Sequence, residues 1–164
     1  ADTELPKILK GEIDIGILPP NAAAKVYNSS NKIIMLAVIG NGNVSLLTTK
    51  DDFKNLASLK GTTVYCAGRG ATPDNIFRYI LSENNIQISD EKNKSESVTL
   101  DFSIPTQDLA TSIVSGKTDY ILVPEPFATV ALIKGKNSGV KKVFNLSDSF
   151  TDNYPLSLLV CNKN

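Results

Sequence analysis

Short apolar segments recur along the chain, and turn-forming residues separate them. The first, residues 13–18 (IDIGIL), ends at Pro19-Pro20 and predicts a strand buried on both faces, as in a parallel sheet. The same criteria predict further strands at 33–39, 44–49, 63–67, 98–102, 119–123, 142–146 and 156–160.

Helical patterns lie between several of these strands. One predicted helix begins near Thr72, and the residues before it, Gly68, Arg69, Gly70 and Ala71, form a tight loop. In this helix Thr72 suits the N-cap, Pro73 the first turn and Asp74 the positive end of the helix dipole. Further helices are expected at about 106–115, from about 126, and near the start of the chain, while 88–97 predicts a solvated loop. Strands that alternate with helices indicate an α/β fold with largely parallel sheets.

Composition narrows the function classes. Lys plus Arg and Asp plus Glu number 17 each, so the formal net charge is zero, which argues against nucleic acid or an anionic membrane as the main partner. No apolar run approaches the ~20 residues that span a bilayer, and no signal-peptide layout opens the chain. We therefore expect a soluble chain that is a mature or shortened product.

The cysteine and histidine content argues against a metal site. The chain has two cysteines, Cys66 and Cys161, and no histidine, whereas zinc and iron sites usually need three or four such ligands. Cys66 falls in a predicted strand and Cys161 directly follows one, where small buried residues are expected. A disulfide between them stays open at this point, because the sequence does not show whether their Cβ atoms are close.

An internal repeat links the two ends of the chain. Residues 8–26 and 113–131 align without gaps, and five identities fall at the helix stop, the strand entry, the strand exit and the following helix. The repeat predicts two lobes, each with a helix, a Gly turn, an Asp-started strand and a second helix, that face each other across a cleft. The alternative is that the repeat is a turn that α/β proteins commonly reuse.

Candidate site residues lie where predicted strands end, since ligands of parallel sheets bind beyond their carboxyl ends. Residues 68–72 precede a helix N-terminus, where free N–H groups attract an anion or a polar head group. Arg69 could pair with a carboxylate, sulfonate or phosphate, or could be solvated. Glu125 could bind an amine or aminopyrimidine or cap a helix, and Asn21 is likewise a cap or a ligand contact. Gly68 and Gly70 are not part of a dinucleotide-binding fingerprint, because the third glycine is absent at the required spacing.

Three segments carry a resemblance to a known family: GEIDIGILPPNAAAKVYN, LKGTTVYCAGRGATPDNIFRYIL and SGKTDYILVPEPFATVAL. They resemble periplasmic-type solute-binding proteins of the nitrate, sulfonate and taurine importer group, including relatives that bind thiamine-pyrimidine precursors. The resemblance implies two α/β lobes of the type II binding-protein topology, joined by two crossovers that let them close on a ligand. It assigns residues 1–50 and 144–164 to an incomplete first lobe and 59–143 to the second, because members of the family are normally about twice as long.

The resemblance implies a non-enzymatic function. It predicts an extracytoplasmic protein, periplasmic or a cell-surface lipoprotein, that passes a nitrate-, sulfonate-, pyrimidine- or amino-acid-like molecule to an ABC permease without a cofactor, metal or catalytic residue. The alternatives are an enzyme on the same fold, of the pyrimidine-synthase or menaquinone-pathway dehydratase type, and a ligand-sensing domain. The pyrimidine synthases depend on histidine and a cysteine-rich motif that this chain lacks.

Overall fold

The computed structural model describes residues 4–91 and 94–163. In chain order its helices and strands are α1 (Glu4–Lys10), β1 (Ile15–Leu18), α2 (Pro20–Ser30), β2 (Ile33–Asn41), β3 (Val44–Thr48), β4 (Thr63–Cys66), α3 (Thr72–Glu83), β5 (Gln87–Ile88), β6 (Ser97–Asp101), α4 (Thr106–Val114), β7 (Tyr120–Pro124), α5 (Phe127–Lys134), β8 (Lys141–Asn145) and β9 (Pro155–Asn162). Short 3-10 turns occupy Leu56–Leu59, Lys136–Ser138 and Leu146–Ser149. Residues 1–3 of the predicted first helix, and Lys92 and Asn93 of the predicted loop, lie outside the described residues.

The chain divides into two compact units. The first contains Ala1–Gly42 and Asp152–Asn164, and the second contains Asn43–Thr151. The sequence placed the first lobe's boundaries at about 50 and 144 instead. The difference arises because β3 pairs with β7 and β8, which brings residues 44–48 and 141–145 into the sheet of the second unit.

The first unit is a three-stranded antiparallel sheet in the order β1-β9-β2. The C-terminal strand therefore lies between two N-terminal strands. A core cluster joins α1 and α2 to the sheet: Ile8, Leu18, Ala23, Val26, Ile33, Leu158 and Val160. The expectation that residues 13–18 are buried on both faces in a parallel sheet is wrong. β1 is an antiparallel edge strand, and its Ile15 and Ile17 are 55% and 51% exposed.

The second unit holds a six-stranded sheet in the order β5-β6-β4-β7-β3-β8. The pairs β5–β6, β6–β4 and β4–β7 are parallel, and only β3 runs against its neighbours. The prediction of an α/β fold with a largely parallel sheet is confirmed here. Buried residues of α4 and α5, including Leu109, Ile113 and Ala131, pack against Ile121 and Val123 of β7.

In both copies of the sequence repeat, the first helix ends with the same backbone conformation. Gly11 and Gly116 have φ of +73° and +74°, in the left-handed region that glycine adopts without strain. The next residue's N–H bonds back to the helix in both copies, from Glu12 to the carbonyl of Lys7 and from Lys117 to that of Ser112, each at 2.9 Å. This is the hydrogen bond that closes a Schellman-type helix end. The copies diverge at the strand exit, since α2 begins directly after Pro19 whereas α5 begins two positions later in the alignment.

Two further features follow from the described residues. Both cysteines are free thiols, Cys66 buried and Cys161 half-buried. None of the helices in 4–91 and 94–163 is long and apolar enough to cross a membrane.

Candidate functional site

The loop between β4 and α3 is a tight turn built on two glycines. Gly68 and Gly70 have φ of +63° and +73°, and the N–H of Ala71 donates to the carbonyl of Gly68 at 3.1 Å. A side chain is strained at such φ values, so glycine is what lets the chain turn directly from strand to helix. Gly68, Arg69 and Gly70 are exposed.

A buried carboxylate holds this loop in place. Asp74, 3% exposed, accepts a hydrogen bond from the N–H of Gly70 at 2.8 Å and one from Nε of Arg78 at 2.6 Å. The expected N-cap, Thr72, is already the first residue of the helix, and Ala71 takes the cap position without a side-chain hydrogen bond. One of the N–H groups that we expected to face a ligand is therefore satisfied from within the protein.

Arg69 lies over an aromatic ring at the edge of a cavity. Its guanidinium carbon is 4.8 Å from the ring centroid of Phe102, a distance at which a cation is attracted by the ring. A cavity of about 410 Å³ lies beside this pair, and its lining residues are Arg69, Asp90, Thr99, Leu100, Asp101, Phe102 and Ser103. Because β4 and β6 are parallel neighbours, this cavity lies at the carboxyl ends of strands. The lining thus combines one cation, two carboxylates and an aromatic ring, and one carboxylate oxygen of Asp101 already accepts a hydrogen bond from the N–H of Ser103 at 2.8 Å.

Glu125 lies at the same edge, just after β7. Its Oε2 accepts hydrogen bonds from the N–H of Thr129 at 3.1 Å and from Oγ1 of Thr129 at 2.8 Å. The carboxylate thus has the helix-capping geometry that was one of its two expected roles. The side chain is exposed, and its contact with a ligand stays a prediction.

The sheet brings some of the predicted residues together. β4 and β7 are adjacent and parallel, with Cys66 opposite Leu122, so residues 68–72 and Glu125 follow neighbouring strand ends. Asn21 belongs to the first unit, where it is the exposed second residue of α2. Pro19 is the N-cap of that helix, so the capping role considered for Asn21 is wrong.

Sequence reasoning missed Phe102 and the carboxylates of Asp90 and Asp101. The sequence predicts Phe102 as the last residue of a strand, whereas β6 ends at Asp101 and the ring lies beside Arg69. A cation and an aromatic ring on different loops can meet at any separation along the sequence, so no spacing of residues predicts their contact. A bulky aromatic residue at the end of a predicted strand is the one hint that the sequence offers.

Cys66, which ends β4, is a buried free thiol. Burial raises the pKa of its thiol, and the nearby carboxylate of Asp74 adds to that effect, so the thiol stays protonated at neutral pH. Within residues 4–91 and 94–163, no group of three His, Cys, Asp or Glu side chains could hold a metal ion.

Comparisons with known proteins identify the fold. No protein-family model and no curated protein sequence matches the chain. Among solved structures, an ABC transporter from Parabacteroides distasonis is similar at a TM-score of 0.74 and 25% identity, over 98% of this chain and 52% of that one. The periplasmic aliphatic sulphonate binding protein SsuA from Escherichia coli is similar at a TM-score of 0.70 and 16% identity, over 98% of this chain and 48% of that one.

A third similar structure is the ligand-binding component of an ABC-type import system from Staphylococcus aureus, with zinc bound. Its TM-score is 0.65 at 14% identity, over 99% of this chain and 52% of that one. The chain thus spans about half the length of the structures it resembles. The fold is α/β and matches that of these neighbours, which include a periplasmic binding protein, an ABC transporter and a component of an ABC-type import system.

Proposed function

We propose that the chain is part of an extracytoplasmic solute-binding protein that captures a small polar or anionic molecule for an ABC permease. The observation that carries the proposal is Arg69, which the glycine loop and the ring of Phe102 present at the carboxyl edge of a parallel sheet. In open α/β sheets this edge is where ligands bind. The structural neighbours support the transport role, because they include an ABC transporter and an import-system component.

The charge and the geometry of Arg69 favour a ligand with an anionic group. A guanidinium that stacks on a ring keeps its in-plane N–H groups available, and these match a carboxylate, sulfonate or phosphate. Asp90 and Asp101 line the same cavity, so a ligand that also carries an amine or another donor fits it better than a bare anion does. Nitrate, sulfonates, aminopyrimidines and amino acids are the candidate classes. Glu125 and Asn21 remain proposed contacts.

A ligand screen tests the proposal. The complete encoded polypeptide that includes residues 1–164 would be screened by thermal shift against nitrate, methanesulfonate, taurine, an aminopyrimidine and glycine. Binding to the folded form raises the midpoint by mass action, so at least one class is expected to stabilise the protein. A flat response to every class, with no small molecule found by native mass spectrometry, would remove the support for solute binding.

Arg69→Ala is the residue-level test. If Arg69 pairs with the ligand, the variant should lose about 1.5 to 3 kcal/mol of binding free energy by calorimetry, as is usual for a hydrogen bond to a charged group. Phe102→Leu, which removes the ring but keeps Arg69, should give a smaller loss. Lys136→Ala is the control, because it deletes an exposed cation in a turn that lies outside the cavity lining. Unchanged affinity in Arg69→Ala would place Arg69 in solvent and leave recognition to the loop backbone.

The proposal is a binding role and not an enzymatic one. The buried thiol of Cys66 near the loop stays protonated, and the chain has no histidine to activate it. A lipid anchor is part of the same proposal, as a means of keeping the protein close to its permease outside the membrane. Gene context beside a permease and an ATPase would separate a transport role from a sensory one.

A further inference from the structure

Asn41, the last residue of β2, is the one asparagine of the sequence that a glycine follows. It is exposed, and its side chain has no hydrogen-bond partner among the described residues. Asparagine is one of the chemically labile residues of proteins. A glycine after it favours the reaction, because no side chain shields the next main-chain nitrogen and the backbone turns freely. The contacts of this pair therefore decide whether the amide of Asn41 survives.

Packing requires the glycine that follows Asn41. The ring of Tyr154 is buried against Gly42, and a Cβ added at Gly42 would overlap three atoms of that ring. The φ of Gly42 is not in the left-handed region, so the close approach of the ring, and not the backbone conformation, excludes other residues. A less labile pair at this position would displace a buried aromatic side chain of the first unit.

The pairing of β2 with β9 is irregular where it reaches Asn41. Asn41 lies opposite Pro155, which has no N–H to donate, and the register shifts between Gly40 and Asn41. Beyond this point the N–H of Gly42 donates to the carbonyl of Tyr154 at 2.8 Å. This hydrogen bond holds the nitrogen of Gly42 and its proton in place. Because it lies at the end of a strand pair, it opens more readily than the bonds in the middle.

We propose that Asn41 and Gly42 form a site of spontaneous modification, at which Asn41 loses its side-chain amide when the hydrogen bond between Gly42 and Tyr154 opens. The nitrogen of Gly42 gives up its proton and bonds to Cγ of Asn41, the bond from Cγ to Nδ2 breaks, and Nδ2 leaves as ammonia. The succinimide ring that results takes up one solvent water and opens to aspartate or isoaspartate. The sum is one water in and one ammonia out, with no change of oxidation state and one more negative charge on the protein.

The two products differ in what they do to the strand. Aspartate changes only the side chain, whereas in isoaspartate the main chain runs through Cβ and Cγ of residue 41 and gains one carbon before Gly42. Gly42 can then no longer both donate to Tyr154 and lie against its ring in the register of β2 and β9. Isoaspartate therefore loosens the sheet of the first unit at the residue where that unit ends. This inference does not depend on the ligand that the protein binds.

Peptide mapping by mass spectrometry tests the proposal without a mutation. The purified protein would be incubated at one pH and temperature, folded in buffer and unfolded in guanidinium chloride, and the tryptic peptide 33–50 would be followed. In the denaturant Asn41 should convert at least about tenfold faster than the exposed Asn43, because the branched side chain of Val44 shields the nitrogen that follows Asn43. In the folded protein Asn41 should convert at least about tenfold more slowly than in the denaturant, since the bond to Tyr154 must open first.

Variants of the two contacts supply the second readout. Tyr154→Leu removes the ring that packs on Gly42, so it should bring the conversion of Asn41 in the folded protein closer to the rate in denaturant. It should leave the rate in denaturant unchanged, which separates an effect of structure from one of chemistry. Tyr27→Leu, at an exposed position of α2 in the same unit, is the matched control and should change neither rate. Asn41→Gln should abolish the reaction, because its longer side chain would have to close a larger ring.

The stability of the products tests the effect on the strand. Asn41→Asp carries the added charge without the added carbon, and it should unfold at nearly the same temperature as the unmodified protein, because residue 41 is exposed. The isoaspartate form, separated by ion exchange, should unfold several degrees lower.

Three results would overturn the proposal. Equal conversion of Asn41 in the folded and the unfolded protein would show that the hydrogen bond to Tyr154 gives no protection. Slower conversion of Asn41 than of Asn43 in denaturant would show that the pair is not the reactive one. An isoaspartate form that unfolds together with Asn41→Asp would show that the added carbon leaves the strand end intact.

Discussion

Asp74 shows why a charge can be buried next to an exposed loop. Its two carboxylate oxygens are divided between the N–H of Gly70 and Nε of Arg78, so the charge is both hydrogen-bonded and paired. The side chain also lies in the first turn of α3, where the helix dipole favours a negative group. Through Gly70, this residue sets the shape of the loop that carries Arg69.

Asp74→Ala should therefore destabilise the protein and loosen the loop. The expected loss of unfolding free energy is about 1.5 to 3 kcal/mol, the range for a buried hydrogen bond to a charged group, measured by urea denaturation. Asp108→Ala is the matched control, because Asp108 occupies the same position in the first turn of α4 but is exposed. Equal losses in the two variants would show that the helix dipole alone accounts for the effect.

Burial of Tyr154 makes the unfolding free energy depend on pH in the alkaline range. Its ring is buried against Gly42, where any side chain would collide with it, and burial raises the pKa of its phenol to about 12. The folded state thus keeps the proton that the unfolded chain loses near its ordinary pKa of about 10. The unfolding free energy should fall as pH rises from about 10 to about 12. Tyr154→Phe should flatten this decline, and urea denaturation at a series of pH values from about 9 to about 12 measures it.

At the scale of elements, the glycine that ends a helix is a requirement of the backbone. Gly116 adopts φ of +74°, and a Cβ added there would meet no atom within 4 Å, so a substitution costs backbone strain and causes no collision. Gly116→Ala should lower the unfolding free energy by about 1 to 2 kcal/mol, as expected for an L-residue in the left-handed region. Gly116→Asn should recover part of that loss, because asparagine tolerates this conformation. A full loss in both variants would contradict the conformational explanation.

The sequence predicted most elements but not how they are buried. The turn residues and apolar runs located every strand except β5, and the helix predicted at about 106–115 corresponds to α4. Residues 13–18 have the composition of a fully buried strand, yet Ile15 and Ile17 are exposed, since burial depends on what packs against the second face. The same limit applies to the site. Glycine spacing located the loop at 68–72, whereas the contact between Arg69 and Phe102 arises only when β4 and β6 pair.

At the scale of the whole molecule, each unit contains its own sheet and its own apolar core. Leu158 belongs to the core of the first unit and Ile121 to that of the second. Truncating a buried leucine or isoleucine to alanine costs about 2 to 5 kcal/mol, through lost contacts and the cavity left behind. We expect that cost to fall on the unit that carries the substitution, because two-state unfolding is a property of single domains and multi-domain proteins depart from it.

Local hydrogen exchange measures this division directly. Leu158→Ala should speed the exchange of amides in β1 and β9 and leave those of β4 and β7 unchanged, since its side chain is packed among residues of the first unit. Ile121→Ala should produce the reverse pattern, because Ile121 packs against Leu109, Ile113 and other residues of the second unit. Each variant serves as the control for the other. If either substitution accelerated exchange equally in both sheets, the two units would behave as one cooperative structure, and the separation into two cores would have no thermodynamic meaning.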